Sequence, residues 1–394
     1  MAIESNQTTK LLVFSPYYPP HIGGVENYAE ELNKYLSLTG IDIIVFTPRL
    51  PEDAPEEDFS HGRIKIIRFP AWEIISNYPL PKFWSRHFWK LLKNLFNQNF
   101  DFILSHTRFF STSLLALCFA KNKNVKWLHV EHGSSFVRLE NKVIFFISRV
   151  YDLTLGKLVL RKADQIIAVS KSAKAFVATL APKAKCQVIY RGFDQEEIEN
   201  TAPDHKLKEK YKDSLLIIFI GRLISGKGTA DLIRAIGALK ERNILCLIIG
   251  DGPEKINLEI LAADLDIEEK ILFLGYKEHN EALALLKAAD IFVNPSFTEG
   301  LPTTVIEAAF CHKAIIATNV GGTAEIISDG QSGILVDPKN PELLSEKITE
   351  LLNNSQLRDK MGQNAFVTVK DKLNWEISVG KFIQLFNENQ TDGK

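Results

Sequence analysis

Short apolar runs rich in β-branched residues recur along this chain. Each is followed by a segment of helix length, and the whole series occurs twice. "LLVFS", "DIIVFT", "IKIIRF", "FILSH", "VKWLHV", "QIIAVS" and "CQVIY" fill the first half. "LLIIFIG", "ILCLIIG", "KILFLG", "IFVNPS", "AIIAT" and "GILV" fill the second. Strand-like runs alternating with helical segments are the pattern of parallel βαβ units. The polar stretch "DQEEIENTAPDHKLKEKYKDS", Asp194 to Ser214, separates the two series and reads as the join between two doubly wound α/β domains. A length of 394 residues suits two or three domains with well-filled cores. Ligands of such folds bind at the carboxyl ends of the strands, so a cleft between the domains is expected.

Charge and cysteine content narrow the function classes. A formal net charge of −1 excludes a globally basic nucleic-acid binder. Cys118, Cys186, Cys246 and Cys311 are widely spaced in apolar runs and show no metal-ligand spacing. They read as buried, reduced thiols of a cytosolic protein. The N-terminal "MAIESNQTTKLLVFSPYYPP" lacks a signal-peptide core, and no apolar run is long enough to span a bilayer.

Several motifs sit where strands end. "IIFIGRLISGKGTADLIRAI" runs strand, glycine loop, helix, and Gly221 to Lys227 matches the first seven positions of a P-loop. Gly228 stands where the magnesium-binding Ser or Thr would be, which argues against an NTPase. Arg222 and Lys227 remain as a planar and a point cation suited to a diphosphate, or as solvated surface charges. "SPYYPPHIGGVENYAEELNKYL" ends a prolyl loop in Gly23 and Gly24 and opens an amphipathic helix. These glycines either admit a ligand to the backbone or form a turn. In "WLHVEHGSSF", His132 precedes Gly133 at a strand's carboxyl end, and alternation places His129 on the other side.

"FTEGLPTTVIEAAF" carries Glu299 and Glu307 on either side of a helix start. Thr304 and Glu307 fit a capping box. Alternatively Pro302 takes the first helical position. Glu299 has no capping duty either way. The amides of Gly300, Leu301, Thr303 and Thr304 would face an anion while the acids hold hydroxyl groups, a division that a nucleotide sugar needs. A further helix, "PKFWSRHFWKLLKNLF", sets Trp84, Phe88, Leu91, Leu92 and Leu95 opposite Lys82, Arg86, Lys90 and Lys93. Lys82–Phe96 therefore reads as an interfacial helix drawn to anionic lipid, or as a core helix with a basic outer side.

"FTEGLPTTVIEAAFCHKAIIATNVGGTAEIISDGQSGILV" resembles the signature block of retaining GT-B glycosyltransferases, family four, whose two acids stand in a Glu-x7-Glu motif. "GRLISGKG", "IIGDGP", "FLGYKEHNEALALLKAADIFVNPS", "PPHIGGVENYAEELNKYL" and "RKADQIIAVS" are similar to that family in order and spacing. The resemblance implies two Rossmann-like domains facing a central cleft. These would be 1–195 for the acceptor and 196–375 for the nucleotide sugar, with a last helix, 376–394, crossing back. It implies transfer of a hexose from a nucleoside-diphosphate sugar, UDP-linked in preference to GDP-mannose, with retention and with no metal or cofactor. The acceptor would be a glycan or lipid-linked saccharide, in polysaccharide synthesis at the inner membrane face. Glu299 matches the acid facing the donor sugar, Glu307 the acid on the ribose, and Arg222 and Lys227 the diphosphate clamp. Gly24 matches the glycine lying on the phosphates, His132 the histidine near the anomeric centre, and Tyr276 the neighbourhood of the base. Arg191-Gly192 departs from the family's frequent Asn-Gly. A GT-B epimerase, a glycosyl phosphorylase or a non-catalytic sugar-nucleotide module would share the architecture. The full residue set argues against the last.

Overall fold

The structure is a computed structural model that describes residues 8–21, 23–75, 78–136 and 142–391. The chain forms two compact units, Met1–Gly192 with Trp375–Lys394, and Phe193–Asn374.

The first unit runs β1 (Lys10–Phe14), α1 (Gly24–Leu38), β2 (Asp42–Pro48), β3 (Glu57–Ser60), β4 (Ile64–Phe69), β5 (Ala71–Ile75), β6 (Tyr78–Pro81), α2 (Arg86–Phe96) and β7 (Phe102–His106). It continues with α3 (Ser111–Lys123), β8 (Lys126–Glu131), α4 (Lys142–Tyr151), a π-helical turn over Asp152–Gly156, α5 (Lys157–Lys162), β9 (Gln165–Ala168), α6 (Lys171–Leu180) and β10 (Cys186–Val188). Its sheet has the order β10-β9-β8-β7-β1-β2-β4-β3 and is parallel apart from β3, which pairs antiparallel with β4. β5 and β6 form a separate hairpin. Leu12, Phe14, Phe46, Phe69, Phe119 and Trp127 fill its core.

The second unit runs α7 (Gln195–Asn200), α8 (His205–Lys210), β11 (Leu215–Ile220), α9 (Thr229–Gly237), β12 (Ile244–Ile249), α10 (Lys255–Asp264), β13 (Ile271–Gly275) and α11 (His279–Ala288). After these come β14 (Ile291–Asn294), α12 (Thr303–Phe310), β15 (Ala314–Thr318), β16 (Ile334–Val336), α13 (Pro341–Leu352) and α14 (Ser355–Lys370). All six strands are parallel, in the order β13-β12-β11-β14-β15-β16. β12 is buried along its whole length, as a strand covered on both faces must be. The last helix, α15 (Trp375–Thr391), returns to the first unit, where Trp375 stacks on Tyr35 of α1 and Phe386 meets Phe102 of β7.

Every run read as a strand is one. Three strands were not legible: β3 is short and polar at a sheet edge, β6 carries two prolines that break a strand signal, and its hairpin partner β5 is five residues directly after Pro70. Asp194–Ser214 is not a linker. It holds α7 and α8, capped by the Asp194 and Asp204 side chains, and Lys287 of α11 ties them down through the carbonyls of Glu199 and Thr201. The chain passes from one unit to the other at Gly192 and Phe193 instead.

Helix α2 also differs from expectation. Phe88, Leu91, Leu92 and Leu95 are buried against Phe46 and Phe69, so the apolar face of Lys82–Phe96 belongs to the core and is not free to enter lipid. Trp84 lies before the helix and is exposed, as are Phe83 and Trp89. Of the cysteines, Cys246 and Cys311 are buried, whereas Cys118 is exposed on α3 and Cys186 is half-buried.

Arg191-Gly192 has a clear duty in the first unit. The Arg191 guanidinium donates to Glu31 of α1 at 2.6 Å, and the Ser378 hydroxyl of α15 donates to the Tyr190 carbonyl. A Cβ on Gly192 would overlap the backbone of Trp375. Gly192→Ala should therefore push α15 outward and cost about 1–3 kcal/mol, read as a lower urea midpoint. An unchanged midpoint would show that α15 is not held at this point.

Candidate active site

In the second unit the strand order reverses between β11 and β14, and the loops leaving these two strands meet. In an open α/β sheet this is where a crevice forms. Lys227 ends a short 3-10 turn, Ser225–Lys227, after β11. Its Nζ lies 2.7 Å from Oε1 of Glu299, which follows β14. Two residues distant in sequence are thus paired across the switch point, both largely shielded from water.

Backbone contacts fix both loops. The Phe297 amide donates to the Gly226 carbonyl at 2.8 Å. Gly228 takes the left-handed conformation, φ 66°, hard against the Pro295 carbonyl, where a side chain would not fit. Here steric need explains why Gly occupies the place of a P-loop Ser or Thr. The loop after β15 joins them: the Gly322 amide donates to the Gly300 carbonyl at 2.9 Å. Arg222 is exposed just beyond β11.

Helix α12 begins at Thr303, and Pro302 is its N-cap, with no side-chain capping bond. Both expected arrangements are corrected. Thr304 is inside the first turn and not a cap, and Pro302 stands one place before the first helical residue. A proline offers no side-chain acceptor, so the first-turn amides are not capped in that way. Thr303 and Thr304 are half-buried there, preceded by Gly300 and Leu301. Glu307 lies one turn further in, and its carbonyl accepts from the Cys311 amide. Tyr276 is exposed after β13, the edge strand two places from β11.

In the first unit, Gly23 is the N-cap of α1 and Gly24 its first residue. Open space lies where a Gly24 side chain would project, whereas one on Gly23 would collide with the Glu26 carboxylate. Glu26 itself is buried and bonded to His21. His132 leaves β8 and packs edge-on against Tyr28 of α1, centroids 4.8 Å apart. Its Nε2 is 3.4 Å from Nδ1 of His106 at the end of β7. Burial lowers the pKa of both histidines, His132 to about 4, so each is neutral near pH 7. His129 points the other way, to Ser105.

Beneath His132 lies a charge network that sequence reasoning missed. Arg108 is 2% exposed and bonds Glu131 at 2.8 Å and Asp152 at 3.0 Å. Burial alone would raise the Glu131 pKa; the Arg108 guanidinium overrides it and holds the carboxyl well below its usual range. Glu131 also accepts from the Gly133 amide at 2.7 Å, which fixes the turn carrying His132. The acid directly before His132 at the end of an apolar strand was the available signal. Nothing in the sequence tied it to Arg108.

The family description "Glycosyl transferases group 1" matches residues 200–367, and "Glycosyltransferase Family 4" matches residues 22–197. An uncharacterized glycosyltransferase of Methanocaldococcus jannaschii is 39% identical over 96% of this chain and 98% of its own. The chain belongs to glycosyltransferase family 4. A Campylobacter jejuni N,N'-diacetylbacillosaminyl-diphospho-undecaprenol alpha-1,3-N-acetylgalactosaminyltransferase is 29% identical over 77% of this glycosyltransferase and 81% of itself. Among solved structures, sucrose-phosphate synthase from Thermosynechococcus elongatus superposes with a TM-score of 0.84 at 20% identity, over 98% and 100% of the two chains. HepE from Anabaena in complex with UDP-glucose does so at 0.76 and 17%, over 97% and 99%. The two Rossmann-like parallel-sheet domains are the GT-B fold.

The neutral histidines make a pH prediction for this glycosyltransferase. Unfolded histidine titrates near pH 6.5, while native His132 and His106 bind a proton only at lower pH. Below pH 6.5 the unfolded chain therefore takes up more protons, and stability falls as pH drops from 7 to 5. Each histidine should add at most about 1.4 kcal/mol per pH unit to that slope. Urea melts of His132→Gln across this range should show a shallower slope than the parent. An unaltered slope would mean His132 titrates freely.

Proposed function

We propose that this family 4 enzyme transfers a hexosyl group from a nucleoside-diphosphate sugar to a glycan or lipid-linked saccharide, with retention and without a metal ion. The observation that carries the reading is the Lys227–Glu299 pair at the switch point of the second unit. A UDP sugar is the favoured donor, supported by the UDP-glucose held in HepE, with GDP-mannose the alternative. The Campylobacter relative, named for transfer to a diphospho-undecaprenol saccharide, supports a lipid-diphosphate-linked saccharide as acceptor; polysaccharide synthesis at the inner membrane face is what the family resemblance implies.

In this reading Lys227 and Glu299 hold each other until the donor arrives. The diphosphate then draws the ammonium, and the freed Glu299 carboxylate accepts from sugar hydroxyls. Arg222 and the first-turn amides of α12, around Thr303 and Thr304, complete the anion site. Charge grows on the leaving diphosphate as the glycosidic bond breaks, so these preorganised donors act most strongly in the transition state. Glu307 takes the ribose hydroxyls, and Tyr276 lies toward the base. In the first unit, His132 and Gly24 are the positions that the family resemblance matches to the sugar and the phosphates. A neutral His132 can hydrogen-bond a sugar hydroxyl without adding charge.

Lys227→Ala should lower kcat/KM by about 2–4 kcal/mol in activation free energy. EDTA should leave wild-type turnover intact; a strict metal requirement would contradict a clamp made of cations and amides. Glu299→Gln should lose transfer while still binding UDP or GDP in calorimetry. Glu307→Gln should weaken nucleoside diphosphate by about 1.5–3 kcal/mol. Equal nucleotide affinity in wild type and Glu307→Gln would remove Glu307 from the ribose site.

Gly24→Ala makes a separate test, because its Cβ would enter open space. The variant should keep its melting temperature and lose donor affinity. Unchanged kcat/KM would show that no phosphate approaches Gly24.

A further inference from the structure

The face of the first unit around α4 and α5 combines two properties that soluble surfaces keep apart. Phe146, Ile147, Val150 and Leu153 are 68%, 60%, 45% and 46% exposed, and Leu155 and Leu158 continue the stripe. Their spacing puts Phe146, Ile147, Val150 and Leu153 on one side of the helix. The opposite side, with Ser148, Asp152, Val159 and Leu160, is buried. The π-helical turn at Asp152–Gly156 lets this long helical segment pass over Arg108, with which Asp152 is ion-paired.

Charge on the same face has one sign. Asp152 is the single acid between Lys142 and Lys162, and it points inward. Arg149, Arg161 and Lys162 are exposed. From His132 to Gly192 the sequence holds eleven Lys and Arg against Glu140, Asp152 and Asp164, whereas the whole chain is formally −1.

A second exposed apolar cluster adjoins it through the β5–β6 hairpin. Tyr78 at one end of the hairpin packs near Tyr151 of α4 and against Phe109. Trp72 at the other end lies 4.3 Å from Trp84, centroid to centroid, and both are exposed. Trp89 is 52% exposed on the outer side of α2.

We propose that α4–α5, extended by the hairpin and the Trp84–Trp89 turn, is a docking surface for an anionic lipid bilayer. Apolar side chains enter the acyl boundary, tryptophans sit at headgroup level, and Arg149, Arg161 and Lys162 meet lipid phosphates. Charge selects this occupant over a second copy of the chain. Over α4–α5, two such faces brought together would oppose Arg149, Arg161 and Lys162 to the same cations, with no exposed acid in either helix. The surface lies on the bilayer and does not cross it: among the described residues no helix is long and apolar enough to span. This replaces the buried apolar side of α2 as the lipid-facing element. It stands apart from the sugar-transfer reading, since none of its residues belongs to the donor site.

Co-sedimentation of the full chain with sucrose-loaded vesicles tests it. The parent should pellet with phosphatidylcholine–phosphatidylglycerol vesicles and be released by salt. With phosphatidylcholine alone it should bind weakly. Phe146→Ser combined with Ile147→Ser and Leu153→Ser should lower the partition coefficient by about a hundredfold or more, as apolar groups leave the acyl region. Arg161→Glu with Lys162→Glu should lower it about tenfold or more. Melting temperature and calorimetric UDP binding, measured on each variant, show that the fold persists. They also keep a failure of the donor site distinct from a failure here. The proposal is overturned if the parent does not pellet, if the serine variant pellets equally, or if phosphatidylcholine alone binds as well. A dimer in sedimentation equilibrium that the serine substitutions abolish, without vesicle binding, would assign the face to a second copy instead.

Discussion

Ile217 and Ile218 of β11 pair in parallel register with Ile291 and Phe292 of β14, and this short ladder decides which loops can meet. Strands on one side of it run outward as β12 and β13, those on the other as β15 and β16. The connections leaving β11 and β14 therefore diverge to opposite faces of the sheet, and a crevice opens between them. Lys227 and Glu299 are the side chains these loops deliver to it. The geometry is overdetermined: the Phe297 amide on the Gly226 carbonyl and the Gly322 amide on the Gly300 carbonyl tie three loops together. Loops tied in this way leave the two side chains little freedom to move apart.

The first unit solves a different problem. Three charged groups, Arg108, Glu131 and Asp152, are removed from water together. Desolvating one alone would be prohibitive, and even a paired set offsets its own cost only when every lone pair and proton is engaged. Here Arg108 reaches both acids, and Glu131 also takes the Gly133 amide. What the network secures is position. It pins the end of β8, the start of the 107–110 loop and the π-helical turn between α4 and α5, so that His132 and His106 face each other in a pocket dry enough to keep both uncharged.

Much of this was legible in the sequence, for reasons that differ by residue. The buried parallel strands announced themselves because a strand covered on both faces has to be continuously apolar, as β12 is. The places of Glu299 and Lys227 were legible because both follow a strand end of a doubly wound sheet, and the structure puts them in the loops after β14 and β11. The pairing between them was not, since it depends on which strands are neighbours. Helix α2 misled for a physical reason. Amphipathicity reports that one face is apolar and says nothing about what covers it, and Phe88, Leu92 and Leu95 turned out to be packed on Phe46 and Phe69. Asp194–Ser214 misled in the same way: polar composition describes helices strapped to a surface as well as it describes a linker. The Arg108 network left no trace beyond the acid before His132, because buried ion pairs join residues that sequence spacing does not relate.

The two exposed faces of α2 and α4 show what decides between a core helix and an interfacial one. Both segments are amphipathic, and both carry cations without exposed acids. In α2 the apolar residues look inward and the outer side keeps only Trp89 among the cations. In α4 the inward side is taken by Ser148 and, a turn later, by Asp152 held on Arg108, so the large apolar residues are left outside. The buried charge network thus has a second consequence besides placing His132. Asp152, held on Arg108, is one of the residues that fix which side of the segment faces inward, and Phe146, Ile147, Val150 and Leu153 lie on the other side. A change that dissolved the network, such as replacing Arg108 and both of its acids with apolar residues, would remove one contact that fixes this orientation, and the turn carrying His132 would lose the Glu131 acceptor of the Gly133 amide.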